Sequence, residues 1–148
     1  MALPLVTMTG NLTKDPELRF TPAGLPVATF TVACNSKKKD PAGNWIDGDS
    51  TFLTVTVWRN TAENVAESIR KGTQVTVVGR LKQRSYEATD GTRRTVYEVD
   101  ADSVSVSLAF NTVSVTKVER VVTSPLLNDD PWASTPAMAE SDPSEVPF

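Results

Sequence analysis

Apolar and polar residues alternate along most of this chain, and the alternation is interrupted once. In TFLTVTVW, residues 51–58, Leu53, Val55 and Val57 alternate with Phe52, Thr54, Thr56 and Trp58. Side chains of a strand point to opposite faces with period 2, so this segment has one apolar face and one hydroxylic face carrying a ring at each end. Residues 4–12, PLVTMTGNL, and 25–34, LPVATFTVAC, are rich in β-branched residues and predict two earlier strands, with turn chemistry in TKDPELRFTPAG between them. The polar NSKKKDPAGNWIDGDS predicts a long loop before the strand at 51–59. The period then changes. Ala62, Val65, Ala66 and Ile69 fall at i, i+3, i+4 and i+7, one stripe of a short helix. Asn60 is placed as its N-cap, Glu63 as the capping-box partner and Gly72 as the stop. Period 2 resumes at 74–86, ATDGT supplies an Asp-Gly turn, and RTVYEVDADSVSVSL returns as the partner strand. NTVSVTKVERVV extends the alternation to about residue 122.

Three strands, one helix, two strands and an added strand describe a mainly β protein. The order suits a five-stranded Greek-key barrel of the OB type, with the helix between strands 3 and 4. A sandwich with one incidental helix is the alternative. The expected division is a folded domain at 1–122, with the added strand near 112–120, and a tail at 123–148. That tail is rich in Pro, Ser and acid, has no periodicity, and reads as disordered.

The length of 148 residues fits one domain with a real core. One cysteine, Cys34, and no histidine exclude an internal disulfide, a Cys/His metal cluster and a histidine-based triad. The opening MALPLVTM carries no basic leader, and no apolar run reaches membrane-spanning length. The expectation is therefore a soluble, cytoplasmic protein. The net charge of -3 hides a split, because the last 28 residues hold five acids and no base. The body keeps all 15 Lys and Arg against 13 acids, a mildly basic body before an acidic tail.

Parity along 74–86 puts Val75, Val77, Gly79 and Leu81 on one side and Thr76, Val78, Arg80, Lys82, Arg84 and Tyr86 on the other. Three cations and a ring thus share an outer face, and Phe52 and Trp58 occupy the matching face of the strand before. Rings on which bases stack, flanked by cations that neutralise phosphates, fit single-stranded nucleic acid; a duplex already has its bases stacked. Lys37, Lys38 and Lys39 beside Trp45 fit either a phosphate-gripping flap or a solubilising loop, and Arg93 and Arg94 extend the basic surface. Tyr97 is assignable to core or surface. Asp47 with Asp49, and Asp100 with Asp102, have spacing suited to Mg²⁺ but equally to turns and strand edges. GTQVTVVG lacks the Lys-Ser/Thr of a P-loop. No cofactor and no catalytic residue are expected.

In GNLTKDPELRFTPAG, FLTVTVWRNTAENVAESIRKG and GRLKQRSYEATDGTRRTVYEV the chain resembles the bacterial single-stranded DNA-binding proteins, with NTVSVTKVER similar to the actinobacterial branch. The resemblance implies stacking by Phe52, Trp58 and Tyr86 and backbone contacts by Lys71, Lys82 and Arg84. It also implies a homotetramer clamped by the added strand, and a role in replication, recombination and repair on the nucleoid. The family's further ring near Ser36-Lys37-Lys38 is missing here. The ending Asp142-Pro143-Ser144-Glu145-Val146-Pro147-Phe148 is similar to the family's partner-recruiting tip, with fewer acids, broken by Pro143 and Ser144. The alternative is an RNA-binding or mixed-substrate OB protein.

Overall fold

A computed structural model describes residues 1–119. Six strands and one helix follow one another as β1 (Leu5–Leu12), β2 (Glu17–Phe20), β3 (Pro26–Lys39), β4 (Trp45–Trp58), α1 (Arg59–Ser68), β5 (Gln74–Glu87) and β6 (Arg93–Val106). The sheet order is β1-β5-β6-β4-β3-β2, and β1 also pairs with β3. That second pairing closes β1, β5, β6, β4 and β3 into a five-membered ring, the expected OB-type barrel, with β2 added outside on β3. All pairings are antiparallel except β4 with β6.

The expected parity holds where the ring is closed. Ala28, Phe30 and Val32 of β3, Val55 and Val57 of β4, Val75 and Val77 of β5 and Val99 of β6 are buried together. Burying each Val or Phe side chain of this set contributes about 1.5–3 kcal/mol. Ala62 and Val65 of α1, and Ile69 just after it, join the same core, as the helical stripe requires. No polar or charged residue among those described is buried with them.

Several boundaries differ from the sequence expectation. Glu17–Phe20, read as part of a turn, pairs with β3 from Glu17↔Thr29 to Phe20↔Pro26. The expected loop at 35–50 is largely a hairpin, with β3 and β4 paired out to Lys39↔Trp45. Helix α1 thus lies between β4 and β5, fourth and fifth in chain order. Asn60 is not the N-cap: Trp58 holds that place, with no side-chain cap. Arg59 has φ 61, the left-handed region that favours glycine, and it turns the chain from strand into helix with no spare residue for a cap. Gly72, at φ 86, ends the turn beyond the helix, where its N–H donates to the Leu12 carbonyl at 2.8 Å.

A β-bulge interrupts β5–β6 where Val78↔Ser103 gives way to Gly79↔Ala101, leaving Asp102 as the extra residue. A Cβ on Gly79 would lie 2.3 Å from the Asp100 carbonyl oxygen, so only glycine lets the backbones approach this closely. Residues 107–119 carry no helix or strand, so the run near 112–120, as far as residue 119, forms no ladder among the described residues. The disordered tail expected at 123–148, with its tip residues, lies outside the described residues.

Candidate nucleic-acid interface

The outer surface between β4 and β5 holds a groove of about 640 Å³. Thr54, Thr56 and Trp58 come from β4, Lys82, Arg84 and Tyr86 from β5, and Val96, Tyr97 and Glu98 from β6. Strand alternation explains the set. With Val55 and Val57 turned into the core, Thr54, Thr56 and Trp58 must face outward, and the same logic on β5 turns out Lys82, Arg84 and Tyr86. Trp58 and Tyr86 are 46% and 41% exposed, so each ring is half-covered and half open to the groove side.

Phe52 shares the outward parity of Trp58 and is exposed, but it lies roughly 20 Å further along β4 and does not line this groove. The chain thus brings two of the three expected rings to one groove and carries the third on the same strand, toward the β3–β4 hairpin.

The cations are engaged. Lys82 Nζ lies 3.0 Å from Asp100 Oδ2, Arg84 Nη2 donates to Glu98 Oε1 at 2.8 Å, and Arg80 Nε is 3.8 Å from Asp102 Oδ2. Arg84 also sits over Tyr86, 5.8 Å from the ring centroid, which fixes the ring against the guanidinium. The Arg80 Nη1 donates to the Leu3 carbonyl at 3.3 Å.

The remaining expected cations are spread out. Lys37, Lys38 and Lys39 stand in β3 rather than in a loop. Lys37 is ion-paired with Asp47, and Lys39 Nζ lies over the Trp45 ring. Lys71 occupies the turn after α1, where its backbone N–H donates to Asp15 Oδ1 at 2.8 Å, and it does not line the groove. Arg93 borders a smaller depression with Ser85, Tyr86 and Glu87, and Arg94 lies 3.8 Å from Asp90. The side-chain and backbone hydrogen bonds from Thr92 hold the Asp90 carboxyl below its ordinary pKa in this hairpin turn.

Two groove residues were not anticipated. Arg19 of β2 faces the groove because Arg19↔Val27 and Val27↔Trp58 set all three on one side of the sheet. Its Nε is 4.0 Å from Glu17 Oε1, the longest of the ion pairs described. The signal was the four-residue alternation in ELRF, masked by the prolines on either side. Tyr97 is 54% exposed and lines the groove, which places it on the surface. Asp47, Asp100 and Asp102 each face a cation, and no cluster of three metal-ligating side chains occurs among the described residues. No helix among them is long and apolar enough to cross a membrane.

Residues 4–107 match the Single-strand binding protein family. A single-stranded DNA-binding protein of Mycobacterium tuberculosis is 48% identical over 145 residues, covering 89% of this chain and 88% of that one. Single-stranded DNA-binding protein 2 of Streptomyces coelicolor is 56% identical over 114 residues, covering 76% of this chain and 57% of the relative. The crystal structure of a small single-stranded DNA-binding protein from Streptomyces coelicolor superposes with a TM-score of 0.66 at 32% identity, covering 74% of this chain and 98% of the other. On the family match over residues 4–107 and relatives this similar along their length, the chain belongs to the single-strand binding protein family.

Proposed function

We propose that this protein binds single-stranded DNA without sequence preference, through the groove between β4 and β5 and onward along β4 toward Phe52. The observation that carries the reading is the meeting of Trp58 and Tyr86 with Lys82 and Arg84 around one open groove. Each base stacked on a ring contributes about 1–3 kcal/mol whatever its identity, so the surface holds a strand without reading its sequence. Phosphates are met by Arg19, Arg80, Lys82 and Arg84, with Arg93, Arg94 and the hairpin lysines Lys37, Lys38 and Lys39 as a wider basic margin; Lys71 serves a strand that continues around the barrel. The names of the relatives support DNA as the ligand.

The protein acts in replication, recombination and repair on the nucleoid, needs no cofactor, and performs no catalysis itself. It assembles as a homotetramer, with residues near 112–120 pairing between subunits. Asp142, Glu145, Val146, Pro147 and Phe148 form a recruiting tip whose ring and acidic side chains fit an apolar, Arg- or Lys-rimmed pocket on DNA-processing enzymes.

Titration with oligo(dT), followed by tryptophan emission and by native mass, tests the ligand and the subunit count together. Quenching at low salt that weakens at high salt is expected, with preference for poly(dT) over poly(U). Unchanged emission and mass would overturn the reading, and preference for poly(U) would favour RNA. Removing residues 146–148 is expected to spare oligo(dT) affinity and to abolish binding of a purified repair or replication enzyme.

A further inference from the structure

We propose that Glu98, Asp100 and Asp102 of β6 compete with DNA phosphates for the cations of β5, and so set both the affinity and the salt response of the groove. This rests on the DNA-binding reading above. Each carboxylate holds a cation two residues beyond its direct register partner: Arg84 is opposite Val96 but bonds Glu98, Lys82 is opposite Glu98 but bonds Asp100, and Arg80 is opposite Asp100 but reaches Asp102. The result is a diagonal ladder with no net charge, which begins at the groove with Arg84, Lys82 and Glu98 and runs beyond it to Arg80 and Asp102. The bulge that inserts Asp102 supplies the last rung.

The rungs are not equivalent. Glu98 is only 16% exposed while its partner Arg84 is 59% exposed, so a phosphate reaches the guanidinium from its open side. Lys82 offers a single ammonium, and Asp100 keeps one oxygen, Oδ1, buried without a hydrogen-bond partner. Drawing Lys82 away would leave that carboxylate uncompensated, which makes Lys82 the cation most tightly withheld from DNA.

Exposed ion pairs are individually weak, so a phosphate can displace them. The displaced carboxylate then collects a cation from solution. That uptake offsets the counterion released from the phosphate, and the salt dependence of binding becomes shallower than the number of phosphate contacts implies.

The test compares the full-length protein with Glu98→Gln and Asp102→Asn, measuring oligo(dT) affinity across a salt series. Each variant is expected to bind about two- to fivefold tighter at low salt. The slope of log affinity against log salt is expected to steepen by up to about 0.7 per carboxylate removed. Asp102→Asn, at the exposed end of the ladder, keeps the test open should Glu98→Gln fold poorly. Equal affinities and slopes in all three proteins would overturn the proposal, and so would weaker binding by the variants, which would mean that the carboxylates position the cations instead. Failure of the unsubstituted protein to bind oligo(dT) at all would instead remove the DNA-binding reading itself.

Discussion

Lys39 Nζ lies 5.1 Å from the ring centroid of Trp45, its partner in the β3–β4 register. The contact closes the outer end of a hairpin well away from the groove that holds Trp58. An exposed cation–π pair of this kind contributes about 0.5–1 kcal/mol. Trp45→Phe is therefore expected to retain most of the DNA-induced fluorescence quenching, and Trp58→Phe to lose most of it. Emission spectra of the two variants titrated with oligo(dT) check this; loss of quenching in Trp45→Phe would place the hairpin end on the DNA path.

Trp58→Ala and Tyr86→Ala are each expected to weaken oligo(dT) binding by about 1–3 kcal/mol while the protein stays folded, since neither ring belongs to the buried core. Because the two rings share one groove, the double variant should fall short of the sum of the single losses. Fluorescence anisotropy with labelled oligo(dT) measures all three. Full additivity would show that the rings grip separate nucleotides with no coupling.

Arg59 holds a left-handed conformation between Trp58 and the helix. A side chain there costs about 1–2 kcal/mol that glycine avoids. Thermal or urea unfolding of Arg59→Gly and Arg59→Ala should therefore find the glycine variant more stable by about 1 kcal/mol. The usual glycine penalty within a helix would appear as the opposite order.

Partial burial of Cys34 raises its thiol pKa above the ordinary value. Folding thus favours the protonated thiol: its contribution to stability is complete below the ordinary thiol range and declines as pH rises through the folded pKa. Ellman's reagent at pH 8 is expected to react more slowly with the native protein than with the urea-unfolded chain. Equal rates would show an open, unperturbed thiol.

The inside of the barrel was legible because burial enforces period 2. Val55 with Val57 and Val75 with Val77 could face only one way once strands were recognised, and that fixed the outward position of Trp58, Lys82, Arg84 and Tyr86 as well. The 35–50 segment misled because its lysines, glycines and proline suit a loop, whereas backbone pairing alone carries the hairpin to Lys39 and Trp45. Asn60 had the chemistry of a cap, but a left-handed Arg59 started the helix first. The acid ladder could have been found. The Asp-Gly turn aligns β5 with β6, so each step back from Arg84 toward Arg80 matches a step forward from Glu98 toward Asp102. Parity along one strand reveals a face, and only register across two strands reveals which charges meet there.

The sheet divides into two arches, β2-β3-β4 and β1-β5-β6, whose long ladders are internal to each. They join at two short seams: Asn11 and Leu12 against Ala33 and Val32, and Thr54, Val55 and Thr56 against Glu98, Val99 and Asp100. The groove straddles the second seam, with Trp58 on one arch and Tyr86 on the other. Its width is thus governed by the joint with few bonds rather than by a stiff ladder, and a strand lying across it acts as a suture between the two arches.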